Sequence, residues 1–136
     1  MEDPGDFQQI ILLATPDKLV CKQMSLLLNR AGFGLVITHN GEEACRIVRD
    51  TKVIRIILLD TDLPVLNGYE VARMIRQMGK DKIVIILLAW FSIQSLEMAL
   101  ATECNEYIAK PVVVNELYEM SLKWLKASAL ELKKKI

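Results

Sequence analysis

At 136 residues the chain is long enough to bury one hydrophobic core and too short for two such domains. Seventeen basic side chains balance seventeen acidic ones, which argues against binding to nucleic acid or a membrane surface by bulk charge. Three widely spaced cysteines, Cys21, Cys45 and Cys104, read as reduced, packed thiols; the polar start Met1 to Gln8 lacks signal-peptide order and no apolar run approaches the roughly 18 residues of a membrane span, so a cytoplasmic location is expected.

Five β-rich runs alternate with five helical patterns. Gln9 to Ala14 is nearly continuously apolar, as in a strand buried on both faces. Pro16 suits a first helical turn, and Val20, Met24, Leu27, Leu28 and Ala31 then repeat at helical spacing until Gly32 stops them. Phe33 to Thr38 predicts a second strand. Asn40 with Glu43 three residues on predicts a capped helix whose buried stripe is Ala44, Ile47 and Val48. Ile54 to Asp60 is a third strand that ends abruptly in a carboxylate. After a loop containing Pro64 and Asn67-Gly68, a helix is predicted from Tyr69 to Met78, then a buried strand from Ile83 to Leu88. A shorter helix near Ser92 to Thr102, with Leu96, Ala99 and Leu100, precedes a brief strand at Tyr107 to Ala109. The last helix runs from Val114 towards Lys134.

Strict β-then-α alternation with short links predicts an α/β, doubly wound, five-stranded parallel sheet with helices on both faces. Functional crevices in such sheets lie at the C-terminal strand ends. Ala14 with Thr15, Asp60, Ala89 and Lys110 should therefore gather at one rim. The spacing leaves two readings of Asp60 and Lys110: a plain ion pair, or a nucleophilic carboxylate with a lysine neutralising charge on a phosphoryl group. The lone histidine, His39, has no paired nucleophile, so catalytic triads are set aside. No Gly-x-Gly-x-x-Gly follows the first strand, which removes a dinucleotide site.

The run Ile57-Leu58-Leu59-Asp60-Thr61-Asp62-Leu63-Pro64-Val65-Leu66-Asn67-Gly68-Tyr69-Glu70 resembles the phosphoacceptor segment of response-regulator receiver domains. Asn40-Gly41-Glu42-Glu43-Ala44 resembles their second helix start, and Tyr107-Ile108-Ala109-Lys110-Pro111 their final strand; order and spacing agree from Gln9 to Leu125. The resemblance implies a flavodoxin-like receiver fold acting in a two-component phosphorelay. It puts Asp60 in the phosphoacceptor position and Lys110 at the family lysine, before a proline that usually follows a cis bond. Tyr107 takes the aromatic switch position, for which an ordinary core tyrosine is the alternative. Histidine kinases or other signalling proteins are the implied partners, and Mg²⁺ the implied cofactor.

Three departures qualify that match. Where the family ends its first strand with two acids that hold Mg²⁺, this chain has Thr15-Pro16, leaving Asp60, Asp62 and, weakly, Asp17 as ligands. Asp17 is otherwise a first-turn acid acting on the helix dipole. Ala89-Trp90 replaces a Thr or Ser followed by a small residue, so the phosphoryl-binding hydroxyl is lost. Trp90 is expected either to crowd the mouth or to swing out as a contact residue. Glu103 stands where Gly is common after the fourth helix and should alter that turn. The expectation is an atypical receiver with a degenerate Mg²⁺ and phosphoryl pocket, signalling largely by protein contact; the alternatives are a fully competent receiver or a small-ligand-binding domain.

In the last helix Leu117, Ser121 and Trp124 form the expected core face. A second stripe of Tyr118, Leu122, Leu125, Ala129, Leu132 and Ile136 has heptad spacing. It reads either as a homodimer seam through the last helices or as a broad core stripe. Lys133 to Lys135 read as a solubilising helix end. The expected organisation is an N-terminal segment 1–8, a receiver domain 9–126 and a helix extension 127–136.

Overall fold

The computed structural model describes the backbone of residues 10–135 and the side chains of residues 10–128. The expected N-terminal segment and the seam positions Ala129, Leu132 and Ile136 lie outside the described side chains. Ten elements alternate: β1 (Ile10–Ala14), α1 (Lys18–Arg30), β2 (Gly34–Thr38), α2 (Gly41–Asp50), β3 (Ile54–Asp60), α3 (Gly68–Gln77), β4 (Val84–Ala89), α4 (Ile93–Leu100), β5 (Glu106–Ala109) and α5 (Val114–Lys135). The strands form one parallel sheet in the order β2-β1-β3-β4-β5.

Because side chains alternate along a strand, each central strand feeds two cores. Leu12, Ala14, Ile57, Leu59, Ile85 and Leu87 face α2, α3 and Ala99 of α4. Ile11, Leu13, Ile56, Leu58, Ile86 and Leu88 face α1 and α5. The three central strands thus have no wet face, which is why they are written almost entirely in Ile, Leu and Val.

Helix starts depart from the sequence reading in one instructive place. Asp17, not a residue of the first turn, is the N-cap of α1: its Oδ1 accepts the N–H groups of Leu19 and Val20 at 3.0 and 3.2 Å, and Pro16 precedes the cap. Glu103 also differs from expectation. It adopts φ +60°, the left-handed conformation a glycine would supply, so the turn after α4 keeps that bend. The Arg76 guanidinium holds it there, donating to the Glu103 carbonyl and to Asn105 Oδ1 while also binding the carbonyls of Lys80 and Ile83.

Among the described side chains of α5 the fully buried positions are Leu117, Ser121 and Leu125. Trp124, expected in the core, is only partly buried and donates its indole N–H to Glu106 at 3.0 Å. Tyr118 and Leu122 pack against the same core. The described half of the heptad stripe is therefore used inside the domain. α4 shows the opposite: only Ala99 is buried, and Leu100, expected inward, lies on the surface.

Candidate functional site

Parallel pairing with short crossovers brings the C-terminal ends of β1, β3, β4 and β5 to one edge, and Asp60 is aligned with Leu88 there. Asp60 is 2 % exposed. A carboxylate so deep requires partners, and it has them on both oxygens. The Thr15 hydroxyl donates to Oδ2 at 2.8 Å. Lys110 Nζ donates to Oδ1 at 2.6 Å, and the backbone N–H of Asp62 donates to the same oxygen at 2.8 Å. Lys110 also reaches Asp62 Oδ2 at 3.1 Å, so one ammonium bridges two carboxylates. Burial lowers the Lys110 pKa, but hydrogen bonds and charge from Asp60 and Asp62 outweigh it and raise the pKa above its ordinary value.

The loop after Asp60 is shaped to present these groups. Gly68 starts α3 so close to β3 that a Cβ there would lie 2.5 Å from the Asp60 carbonyl oxygen, and its N–H donates to the Thr61 carbonyl. Asn67 and Glu70 complete a capping box around that start. Two residues before Asn67, Val65, 72 % exposed, is held at φ +72°, a strained conformation for a β-branched residue. The peptide bond between Lys110 and Pro111 is cis, as the family resemblance implies.

Thr15 Oγ1 accepts the N–H of Asp17, and the Thr15 carbonyl accepts a hydrogen bond from His39 Nδ1 at 3.0 Å. Asp17, expected as a weak metal ligand, makes the cap bonds through Oδ1 and lines the same cleft as Asp60 and Asp62. Ala89 is buried at the rim with no hydroxyl to offer. Trp90 is 60 % exposed and stands at the side of a cleft of about 520 Å³ also lined by Thr15, Leu19, Asp60, Lys110 and Val112. Among the described residues no group of three or more His, Cys, Asp or Glu side chains is placed to hold a metal ion.

Tyr107 lies half-buried on β5, its hydroxyl 2.6 Å from Ser95 Oγ at the start of α4. Tyr69 approaches the same place. Burial pushes its hydroxyl pKa up, opposed by hydrogen bonds with Ser95 and Thr61. Ser95 was not singled out by the sequence reading, although Ser92 three residues earlier is the N-cap pattern that would have marked it.

Residues 11–121 match the family model for the response regulator receiver domain, and the chain belongs to that family, the signalling modules of two-component systems. It is similar to the transcriptional regulatory protein YkoG of Bacillus subtilis, with 32 % identity over 107 residues that are 79 % of this chain and 46 % of YkoG. The chain thus spans about half the length of that curated relative. Among solved structures it resembles the receiver domain of the Saccharomyces cerevisiae response regulator Ssk1 in complex with the histidine phosphotransfer protein Ypd1 (TM-score 0.80, 25 % identity, covering 90 % of this chain and 92 % of that one). It also resembles the receiver domain of the Pseudomonas aeruginosa sensor histidine kinase PA1611, whose cleft holds a magnesium ion (TM-score 0.75, 29 % identity, covering 88 % and 98 %). No helix among the described residues is long and apolar enough to cross a membrane.

Proposed function

We propose that this domain is a receiver with a degenerate phosphorylation pocket, which signals mainly by contact with a histidine kinase, a phosphotransfer protein or another signalling protein. The observation that carries this reading is the state of Asp60: Thr15 caps one oxygen, and Lys110 with the Asp62 amide occupies the other. The sequence supplies a hydroxyl where receivers carry an acid, and that hydroxyl points its proton at the acceptor.

The residues present fit Mg²⁺ poorly. Its near-octahedral oxygen shell is usually anchored by one or two carboxylates with waters and phosphate oxygens. Here Asp60 and Asp62 are both engaged by Lys110, Asp17 uses Oδ1 at the α1 cap, and β1 ends without an acid. Weak Mg²⁺ binding follows. Phosphoryl transfer depends on charge neutralisation and positioning, and the chain retains Lys110 for the first while Ala89 lacks the hydroxyl used for the second. The partly apolar walls of the cleft, with Leu19, Val112 and the exposed Trp90, suit contact with a protein surface.

The test is intact mass after incubation with acetyl phosphate and Mg²⁺, on the wild type and Asp60→Asn. We expect no phosphoryl adduct on either. An adduct on the wild type alone would establish a competent receiver and overturn the degenerate reading.

A further inference from the structure

Tyr107 on β5 finds its hydroxyl partner at the start of α4, away from the cleft around Asp60. Its hydroxyl lies 2.6 Å from Ser95 Oγ, and its distance to the Trp90 carbonyl, 3.5 Å, is too long for a good bond of its own. Ser95 is unusually well placed to receive it. A serine hydroxyl has one proton and two acceptor positions. One acceptor position takes the N–H of Ser92 at 3.0 Å, closing the capping box of α4. The proton has two carbonyls in reach, that of Ser92 at 3.0 Å and that of Trp90 at 3.1 Å. With Tyr107 donating to the second acceptor position, the Ser95 proton is shared between the Ser92 and Trp90 carbonyls, and the bonds tie Tyr107 through Ser95 to the turn that starts α4.

Two further contacts hold the ring itself. Phe91 meets Tyr107 edge to face, with centroids 6.5 Å apart and planes at 85°. Tyr69, at the start of α3, approaches Ser95 and also Thr61, the residue beside Asp60. Ser95 is thus where α3, β5 and the link between β4 and α4 meet.

We propose that Ser95 is a positioning residue, a latch that pins Tyr107 across the start of α4. The consequence is a fixed surface. α4 buries only Ala99, so little of its own packing locates it, while Trp90, Phe91 and Ile93 stand well exposed beside it. The latch sets where those side chains are presented, and it does so without reference to the charge on Asp60. It is independent of whether Asp60 accepts a phosphoryl group, so it stands or falls separately from the degenerate-pocket reading.

The test uses the full chain and the variants Ser95→Ala, Ser95→Thr, Tyr107→Phe, the double variant and, as a capping control, Ser92→Ala. Two readouts apply: amide hydrogen exchange across residues 93–100, and the ring-carbon NMR shift next to the Tyr107 hydroxyl. Tyr107→Phe keeps the ring and so keeps the fold. We expect Tyr107→Phe and Ser95→Ala each to speed α4 exchange about three- to ten-fold, as for loss of one net hydrogen bond, and the double variant to add little more. Ser95→Thr should restore the slower exchange. The Tyr107 carbon shift should move in Ser95→Ala and stay in place in Ser92→Ala. Unchanged α4 exchange in Tyr107→Phe, purely additive single effects, or a Tyr107 shift that moves equally in Ser92→Ala would each overturn the latch.

Discussion

Replacing Lys110 by Met removes the ammonium that bridges Asp60 and Asp62 while keeping most of the side chain's packing volume. At 2.6 Å and an effective dielectric near 20, the gross attraction of Lys110 for Asp60 is about 6 kcal/mol. Desolvating two ions costs several kcal/mol each, so forming the pair comes close to break-even. Losing one member does not, because Asp60 stays buried with its charge. Removal of one partner of a buried pair costs about 3–5 kcal/mol. Asp60 keeps the Thr15 hydroxyl and the Asp62 amide, so the lower end applies: about 3 kcal/mol, roughly 10 °C in Tm. Asp60→Asn should cost about 2 kcal/mol. The double variant should cost about 3 rather than 5, a coupling of about 2 kcal/mol. The assay is urea unfolding followed by far-UV circular dichroism, with equal slopes confirming comparable transitions. The pH dependence has a definite sign. Because the folded Lys110 pKa is raised, its contribution is fully present below the ordinary lysine value of 10.5 and is lost as pH climbs through the higher folded value. The gap between wild type and Lys110→Met should therefore be flat from about pH 6 to 9 and narrow only in strong alkali. Additivity within about 0.5 kcal/mol would refute the claim that the two groups stabilise one another.

Two further outcomes follow from the same geometry. Thr15→Asp puts a second carboxylate within hydrogen-bonding range of Asp60 Oδ2 in place of a donor, and should lose about 2 kcal/mol in chelator but recover at least about 1 kcal/mol in millimolar Mg²⁺, read as paired thermal melts. A wild type stabilised by Mg²⁺ as strongly as the variant would show that the missing acid is not what limits the metal. Val65→Gly should raise stability by about 1 kcal/mol in urea unfolding, since the left-handed backbone at φ +72° costs a β-branched residue and not a glycine; a loss would mean that Val65 makes a compensating contact in the loop.

The sequence by itself determined the alternation of elements, the parallel sheet and the rim at which Asp60 and Lys110 meet. Continuous apolar runs and period-3.6 stripes are local signals, and the handedness of crossovers leaves little choice in joining them. Thr15-Pro16 and Ala89-Trp90 were likewise legible as departures from the family pattern. What only the tertiary structure decided depends on the direction of single side chains. Spacing assigned Asp17 to the first turn, whereas its carboxylate is the cap itself. Glu103 looked incompatible with a glycine turn until Arg76, 27 residues away, was seen to hold its carbonyl. The α5 stripe through Tyr118, Leu122 and Leu125 matched a seam as well as a core, because a 3.5 and a 3.6 period barely diverge over two turns; the packing of α5 on the sheet puts Leu125 inside. Above all, Asp60 in the sequence is a carboxylate that ends a buried apolar strand. Folding makes it one that accepts hydrogen bonds on both oxygens, because Thr15, Asp62 and Lys110 converge on it from the end of β1, its own loop and the end of β5.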